Sequence, residues 1–394
     1  MNRRRYAVTA SGRAAGMVVL LVGCEAASEP ASVSDSAPTD AARAASPMPT
    51  TPWSIEDVPA STDGGTRILI IHDMEGLSGQ DDPSTFDFGT ELYPSGQEML
   101  AADINAVIDG LFAGGATEVF IADGHGSGNP DPDLRADLLD PRATQIIRDE
   151  PFDTYFDLPE SEQIDAVAVV GMHAKTGSGG FASHTFTLGI DLLINGQSIT
   201  ETELVALSWG RVGVPVIFAS GDDRLAADLE TMPWIEFVTV KTATAADSAT
   251  LRPLDETRGE LTSAAQRAVE NLASAKSMRA NTPIHAGLRA VPPASLRFLD
   301  GIPGIDYNDE TLTFVTDDMR SAYDGLEEVV GLATVGYLAV LQEVVRDRPD
   351  GAEIMAAFRE ALSKRWFDQE SGRYSRPEPE PGIGDAIQRY HGYR

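Results

Sequence analysis

Apolar residues in this chain fall into short continuous runs separated by stretches with helical periodicity. Residues 67–72, 118–122 and 166–170 are such runs, rich in Ile, Val and Ala. Runs of this length and composition are typical of parallel strands that are buried on both faces. A helix is predicted between the first two, because Ser95 and Glu98 have the spacing of a capping box and apolar positions recur from residue 99 to 112. The pattern therefore predicts a βαβ unit.

Further elements extend this unit. Apolar runs on both sides of Asn195-Gly196 predict a hairpin, and a helix is expected to begin at Glu201. Beyond it the pattern predicts strands at 214–220, 235–240, 295–299 and 311–315, and helices at 256–275, 326–345 and 352–366. The fold class that follows is α/β, a mostly parallel sheet flanked by helices, with a second smaller α+β lobe.

Residues with metal-binding side chains follow the predicted strands. Asp73 and Glu75 come directly after the first run, His125 after the second and His173 after the third, while Glu201 opens the helix beyond the hairpin. Because parallel strands deliver their carboxyl ends to one edge of a sheet, these side chains are expected to meet there. Carboxylate oxygen and imidazole nitrogen are zinc ligands, and a carboxylate shared by two ions suits amide hydrolysis. The pattern predicts a metallohydrolase.

The same segments resemble a known family. Five short motifs occur in the order seen in the zinc-dependent D-aminopeptidases: Asp73-Met74-Glu75-Gly76-Leu77-Ser78-Gly79, Asp123-Gly124-His125, Gly171-Met172-His173-Ala174, Ser183-His184, and Ile194-Asn195-Gly196 followed by Glu201. Gly221-Asp222-Asp223 and Lys241 continue the resemblance, which covers roughly residues 66 to 345. It implies a site for two zinc ions per chain, activity on short peptides including D-alanyl peptides, and assembly into a ring-like homo-oligomer.

The resemblance also implies roles for individual residues. The metal ligands would be Asp73, Glu75, His125, His173 and Glu201. His184 would be the catalytic histidine, and it lies in a segment of small residues that can approach a substrate closely. With the metals already furnished with ligands, His184 is free to stabilise the developing oxyanion or to pass a proton to the leaving amine.

Three further carboxylates are candidates for binding the substrate ammonium group. Glu203, Asp222 and Asp223 lie on segments that adjoin the predicted site. Glu203 and Val205 depart from the family pattern, which affects the expected substrate preference and leaves the expected metal ligands unchanged.

The net charge narrows the range of partners and functions. The chain carries a formal charge of −31 at pH 7, which repels phosphate backbones and excludes nucleic acid as an expected partner. Two alternatives to a peptidase remain. One is a lipoprotein that binds peptides without catalysis, although it would be expected to have lost some ligands. The other is a binuclear-metal phosphoesterase, which would need cationic groups that this acidic chain supplies sparsely.

The N-terminus is typical of an exported lipoprotein. Arginines precede an apolar stretch at residues 14–22, which is too short to span a bilayer and ends in Leu21-Val22-Gly23-Cys24. Cys24 is the single cysteine, so cleavage before it and lipidation of it are predicted. Glu25 follows instead of Asp, which favours an outer-membrane anchor facing the periplasm.

Composition then divides the rest of the chain. Residues 25–65 are rich in Ala, Ser, Pro and Thr, which predicts a disordered tether. The predicted catalytic lobe spans 66–250 and the second lobe spans 251–345. Residues 346–394 form a C-terminal extension without a predicted role.

Overall fold

The computed structural model describes residues 46–58, 65–129, 131–148, 152–292, 294–333, 337–371 and 373. Within them the strands are β1 (Trp53–Asp57), β2 (Arg67–His72), β3 (Glu118–Asp123), β4 (Thr144–Gln145), β5 (Ala166–Val170), β6 (Ile190–Ile194), β7 (Gln197–Ile199), β8 (Val216–Asp222), β9 (Glu236–Ala245), β10 (Ser248–Leu251), β11 (Lys276–Ala280), β12 (Ile284–Ala290), β13 (Asp306–Asn308) and β14 (Thr311–Thr316). The helices are α1 (Tyr93–Ala113), α2 (Leu158–Ser161), α3 (Glu201–Gly210), α4 (Asp223–Asp228), α5 (Leu254–Glu270), α6 (Met319–Ala333), α7 (Tyr337–Asp347) and α8 (Gly351–Glu370).

A seven-stranded sheet forms the centre of the fold, in the order β10-β9-β8-β5-β2-β3-β4. All neighbours are parallel except β10, which pairs antiparallel with β9. His72 at the end of β2 is in register with Asp123 of β3 and Val170 of β5. The segments that follow these three strands therefore leave the sheet side by side, at the edge where ligands bind in such folds. The predicted α/β class is confirmed.

The central strand β2 is buried on both faces because each face has its own covering layer. Ile68 and Ile70 join the core formed with α1 and α5. Leu69 and Ile71 join the core on the opposite face, which includes residues of α3 and α6. This double burial explains why the strand has a continuous apolar sequence instead of an alternating one.

A second sheet is antiparallel, with the order β13-β14-β12-β6-β7. Its hairpin between β6 and β7 turns at Asn195 and Gly196, with φ angles of 51° and 77°. Both angles are positive, as a type I′ turn requires, so the predicted Asn-Gly hairpin is confirmed. Strands β1 and β11 form a separate two-stranded sheet.

The structure corrects the predicted domain boundaries. The predicted lobes do not separate at residue 250, because β6 and β7 of the first pair into the sheet of the second, and α5 of the second packs against α1 of the first. The prediction that residues 25–65 are a disordered tether is wrong for residues 53–57, because β1 pairs along its whole length with β11. Residues 25–45 and 59–64 lie outside the described residues, as does the signal segment 1–24.

Two local predictions are also wrong, and two strands were not predicted. The first helix begins at Tyr93 with no side-chain cap, so Ser95 and Glu98 are not its capping box. Residues 295–299 contain a 3₁₀ turn at Arg297–Leu299 where a strand was predicted. Strands β11 and β12 were missed, because their sequences carry charged or small residues and lack a long apolar run.

Candidate metal centre

The turn after β2 is pressed against the turn after β5. The amide of Asp73 donates to the Val170 carbonyl at 2.8 Å, and that of Gly76 donates to the Gly171 carbonyl at 2.7 Å. A Cβ atom on Gly76 would lie 1.9 Å from the carbonyl oxygen of Met172, so only glycine allows this approach. The two backbone turns can therefore bring their carboxylates and imidazole together.

Two groups of three ligand-type side chains share Asp73. One contains Glu75 and His125 and the other contains His173 and Glu201, and the ligand atoms within each group lie within 4.8 Å of one another. Asp73 Oδ1 is 2.8 Å from His125 Nδ1, while Oδ2 is 3.4 Å from His173 Nε2. The two oxygens of one carboxylate thus face two adjacent groups of donors.

Each of three histidines turns one ring nitrogen toward a backbone carbonyl. His125 Nε2 is 3.1 Å from the Phe86 carbonyl oxygen, His173 Nδ1 is 3.0 Å from that of Ala174, and His184 Nδ1 is 2.7 Å from that of Ala182. A carbonyl oxygen can only accept, so the facing nitrogen carries a hydrogen and the other nitrogen presents its lone pair to the site. Such backbone contacts fix the tautomer of metal-binding histidines.

The lone pairs of His125 and His173 point at carboxylate oxygens. His125 Nδ1 lies 2.8 Å from Asp73 and 3.2 Å from Glu75. His173 Nε2 lies 3.4 Å from Asp73 and 3.5 Å from Glu201, and this buried nitrogen makes no aligned hydrogen bond. Lone pairs that converge in this way require a positive charge between them, which a proton or a metal ion supplies. The nitrogen and oxygen donor set fits zinc.

The electrostatics of the site also favour a cation. Burial and the nearby charge of Asp73 raise the pKa of the Glu75 carboxyl to about 7. Burial opposes charge on His125 and His173, yet the surrounding carboxylates raise the pKa of both imidazoles well above the usual value. Three carboxylates so close together stabilise positive charge more strongly than burial disfavours it.

Glu201 is fixed from three directions. It occupies the first turn of α3, after the N-cap residue Thr200. Its Oε2 accepts from the Tyr155 hydroxyl at 2.8 Å, and its Oε1 accepts from the Phe186 amide at 2.7 Å. The helix N-terminus further stabilises the ionised carboxylate, so Glu201 is held in place before any ligand arrives.

His184 stacks on His173, with ring centroids 3.9 Å apart and planes 11° apart. Its Nε2 lies 4.0 Å from Glu75 Oε1, and 16% of its side chain is exposed. Burial and the neighbouring charge of His173 lower the pKa of His184 to about 4. His184 therefore faces the same space as the two groups that share Asp73, and it also lies within reach of Glu75 and His173.

A cavity of about 70 Å³ opens onto this arrangement. The six residues predicted from the sequence as ligands or as the catalytic group all line it, together with Gly124, Gly126 and Phe186. The structure places Asp73 and Glu75 in the bend that directly follows β2.

The three predicted substrate carboxylates do not line the cavity, and their role in substrate binding stays a prediction. Glu203 is buried in a capping box with Thr200 and also accepts from Thr231. Asp222 caps α4 and accepts from the Phe181 amide at 2.7 Å. Asp223 accepts from the Ala243 amide at 2.7 Å. All three stabilise local backbone, because each sits where unpaired amides need an acceptor.

The sequence analysis assigned no role to the residues that support the site. Lys241 donates to the Glu75 carbonyl at 2.6 Å and to Gln80 Oε1 at 2.7 Å, and its ammonium lies 3.8 Å from the centre of the Phe181 ring. Burial lowers the pKa of Lys241 to about 7. Lys241 appeared in the family resemblance, which was the available signal, whereas Tyr155 had none.

Comparison with known proteins agrees with this geometry. A family model described as D-aminopeptidase matches residues 66–327. The chain belongs to the D-aminopeptidase family. The family resemblance expected from the sequence is thereby confirmed. The matched region contains all six residues that were predicted as metal ligands or as the catalytic group and that line the cavity.

A curated protein and a solved structure, both from Bacillus subtilis, are similar to this member of the D-aminopeptidase family. A curated D-aminopeptidase of strain 168 is 31% identical over 168 residues, which are 42% of this chain and 60% of that protein. The solved structure of the Zn-dependent D-aminopeptidase DppA, described as a self-compartmentalizing protease, matches with a TM-score of 0.62 and 24% identity. That match covers 68% of this chain and 98% of the DppA chain, and it shows that the fold is shared.

Proposed function

We propose that this protein is a zinc-dependent aminopeptidase that releases N-terminal residues from short peptides, with D-amino-acid peptides such as D-alanyl peptides as the favoured class. One observation carries the proposal. Two groups of buried ligand-type side chains share Asp73, and His184 faces the same cavity. The name of the Bacillus subtilis relatives supports the D-peptide class.

The proposed cofactor is two zinc ions per chain. Glu75 and His125 would hold one ion, His173 and Glu201 the other, and Asp73 would contribute one oxygen to each. When bound, such a pair of ions lowers the pKa of water and polarises a peptide carbonyl. The residues of this chain hold the ligand atoms in place through the Phe86, Ala174, Tyr155 and Phe186 contacts.

His184 is the proposed proton-handling residue. The Ala182 carbonyl fixes its Nδ1 as the donor, which leaves Nε2 facing the cavity. This nitrogen can take up a proton during attack on the carbonyl and release it to the departing amine. His184 stacks on His173, so the position of its ring is set by the same side chains that form the proposed zinc site.

We also propose an oligomeric assembly and a cellular location. The description of DppA as self-compartmentalizing supports a ring-like homo-oligomer for the family-matched part of this chain. The Leu21-Val22-Gly23-Cys24 sequence supports an outer-membrane lipoprotein that faces the periplasm. Peptides released from the cell wall would be within reach at that location.

The deciding experiment compares matched peptides with free and acetylated N-termini, each made with D-alanine and with L-alanine as the first residue. Cleavage of the free peptides, loss of activity with a chelator and recovery with zinc are expected. N-acetyl peptides should resist cleavage, because acetylation removes the terminal amine and leaves the scissile amide intact.

Each alternative function has its own signature in this assay. Equal cleavage of free and acetylated peptides would replace the aminopeptidase by an endopeptidase or amidase. Binding of peptides without cleavage would favour a non-catalytic peptide-binding lipoprotein. Hydrolysis of phosphate esters alone would favour a phosphoesterase, although the described residues that line the cavity include no lysine or arginine.

A further inference from the structure

Helices α7 and α8 form a hairpin beyond residues 66–327, the part of the chain that matches the family model. They expose an unusual number of large apolar side chains, each 38–63% accessible. These are Leu338, Val340, Leu341, Val344, Ile354, Phe358, Leu362, Trp366 and Phe367. We call the exposed row on α8, Ile354, Phe358, Leu362 and Trp366, the α8 stripe. Its members recur every four residues and therefore share one side of the helix.

The two helices do not bury these side chains against each other. The groove between them is lined mainly by small or polar residues, including Ala339, Gln342 and Arg346 of α7 and Ala352 of α8. No residue of α7 is buried. Amphipathic helices normally pack through their apolar sides, so the apolar sides of this hairpin lack a packing partner among the residues that the structure describes.

The exposed apolar surface is large enough for a stable association. Three of the nine residues are aromatic, with roughly 150–250 Å² of surface each, and the other six are smaller, so the nine half-exposed residues together leave about 800–900 Å² in water. A monomer rarely exposes a contiguous patch beyond a few hundred Å². A standard protein interface buries about 800 Å² on each partner. The hairpin therefore offers the area that one side of a dimer needs.

Charge distinguishes the hairpin from the rest of the molecule. Residues 337–371 contain five basic and seven acidic residues, whereas the whole chain has a net charge of −31. Several of these charges are paired within the hairpin, among them Lys364 with Asp368 and Arg348 with Asp350. Two copies of the chain repel each other over most of their surface, but that repulsion is weakest where the hairpins meet.

A lipid surface is the competing occupant. The stretch Met319–Asp347 is long and apolar enough to cross a membrane by length and composition. Its first half is α6, whose Met319, Tyr323 and Leu326 are buried in the protein core, so lipid cannot surround the whole stretch, although only 7% of its most apolar window is buried. Anionic lipid favours a basic helix face, and the hairpin is slightly acidic. Both observations favour protein as the occupant.

We propose that the hairpin is a self-association element, in which the α8 stripe of one copy packs against the hairpin of a second copy to form a four-helix bundle. Such a bundle is the smallest closed arrangement that buries the apolar sides of two hairpins, and a two-fold axis supplies the matching surface on the second copy. The proposal is independent of the proposed peptidase activity, because the hairpin lies outside the family-matched residues.

The first test measures the molecular mass of the full chain in solution by light scattering. Replacing Phe358→Glu and Leu362→Glu together should reduce the mass by a factor of two, because the charges cannot be buried in the bundle. The matched control carries Val212→Glu and Leu251→Glu, which are also exposed but lie outside the hairpin, and it should keep the wild-type mass. An unchanged mass of the Phe358→Glu, Leu362→Glu variant would overturn the proposal.

A second test does not depend on loss of assembly alone. A partner variant with Phe358→Lys and Leu362→Lys should show the same halved mass, and mixing it with the Glu variant should restore the wild-type mass through opposite charges. A mixture that stays at the halved mass would overturn direct contact between hairpins. The lipid alternative has a different result. In that case the wild-type protein would bind phosphatidylglycerol vesicles, the Phe358→Glu, Leu362→Glu variant would not bind them, and both proteins would have the same mass in solution. This result would overturn the proposal in favour of a lipid surface.

Discussion

At the scale of single residues, His125 and His184 differ in the groups that face the ring nitrogen on the cavity side. Nδ1 of His125 lies between two carboxylates, at 2.8 Å from Asp73 and 3.2 Å from Glu75. Nε2 of His184 has its nearest carboxylate oxygen, in Glu75, at 4.0 Å. Substitutions should therefore distinguish His125, as a proposed metal ligand, from His184, as the proposed proton carrier.

We expect His125→Ala to lose both metal and turnover, because it removes a donor from the group that includes Asp73. His184→Ala should keep its metal and lose on the order of 10²–10⁴-fold in kcat, the range for a removed proton-transfer or oxyanion group. Elemental analysis of each purified variant, beside its steady-state kinetics, measures the two effects separately. Loss of zinc from the His184 variant would instead make His184 a ligand.

Lys241 should act on the metal through the backbone of Glu75. Its ammonium bonds the Glu75 carbonyl and Gln80, and it also lies over Phe181, whose segment leads to His184. Lys241→Met keeps the length of the side chain and removes these bonds. We expect zinc affinity to fall by roughly 10–100-fold, the usual effect of losing a residue that orients a ligand.

The measurement for Lys241 is a zinc competition titration with a chromophoric chelator. Lys175→Met is the matched control, because Lys175 also donates to a backbone carbonyl, that of Ser198, although it is only partly buried. Equal zinc affinity in the wild type and the Lys241 variant would contradict the orienting role. Thermal unfolding of both variants separates a local effect from a general loss of stability.

Five residues of the candidate site could be predicted because each follows a recognisable strand or opens a recognisable helix, whereas His184 was found through the family resemblance. Their supports could not be predicted in the same way. Tyr155 reaches Glu201 across 46 positions and Lys241 reaches the Glu75 carbonyl across 166 positions. Neither contact has a local pattern in the sequence, because it depends on how the elements pack together.

At the scale of elements, the start of α3 gives Glu203 a structural role. Its carboxylate accepts from the Thr200 amide at 2.8 Å and from the Thr231 hydroxyl at 2.7 Å. We expect Glu203→Gly to lower the free energy of unfolding by on the order of 1–2 kcal/mol, through the lost cap and the lower helix propensity of glycine. The range of accepted first residues should stay the same.

Urea unfolding and a panel of peptides with different first residues check this pair of expectations. Glu203→Gln is the matched control, because an amide oxygen can still accept from Thr200 while the charge is removed. An unchanged free energy of unfolding together with a broader range of substrates would return Glu203 to the substrate site.

Buried elements were predicted better than exposed ones. β2 and β5 have the predicted bounds, because strands covered on both faces need continuous apolar sequence. The start of α1 was misplaced because a Ser-x-x-Glu spacing also occurs inside helices, where it has no capping role. β12 was missed although it is the centre of the antiparallel sheet, because Gly287 and Arg289 interrupt its apolar pattern.

At the scale of the whole molecule, the chain does not divide where its composition changes. The hairpin of β6 and β7 leaves the region of the parallel sheet and pairs with β12, which comes some 90 residues later in the sequence. Glu201 directly follows that hairpin. The candidate site therefore depends on both sheets, and a fragment that ends at the predicted boundary of residue 250 would lack the strand that β6 needs.

The attachment of the N-terminal segment sets the length of the proposed tether. β1 pairs with β11, and the Asn195 side chain donates to the Pro52 carbonyl at 2.8 Å. The chain is thus fixed to the body from about residue 52.

The proposed lipid anchor makes a prediction that depends on one atom. Cys24 carries the only thiol of the chain, so no other side chain can accept the lipid. We expect the wild-type protein in the membrane fraction with the added mass of acyl chains, and Cys24→Ser in the soluble fraction without it. Ala27→Ser, in the same segment, should behave as the wild type.

Peptidase activity of Cys24→Ser should persist, because β1 and the candidate site belong to the folded part of the protein that the structure describes. Wild-type protein that is soluble and unacylated after export would contradict the anchor and leave the proposed chemistry untouched.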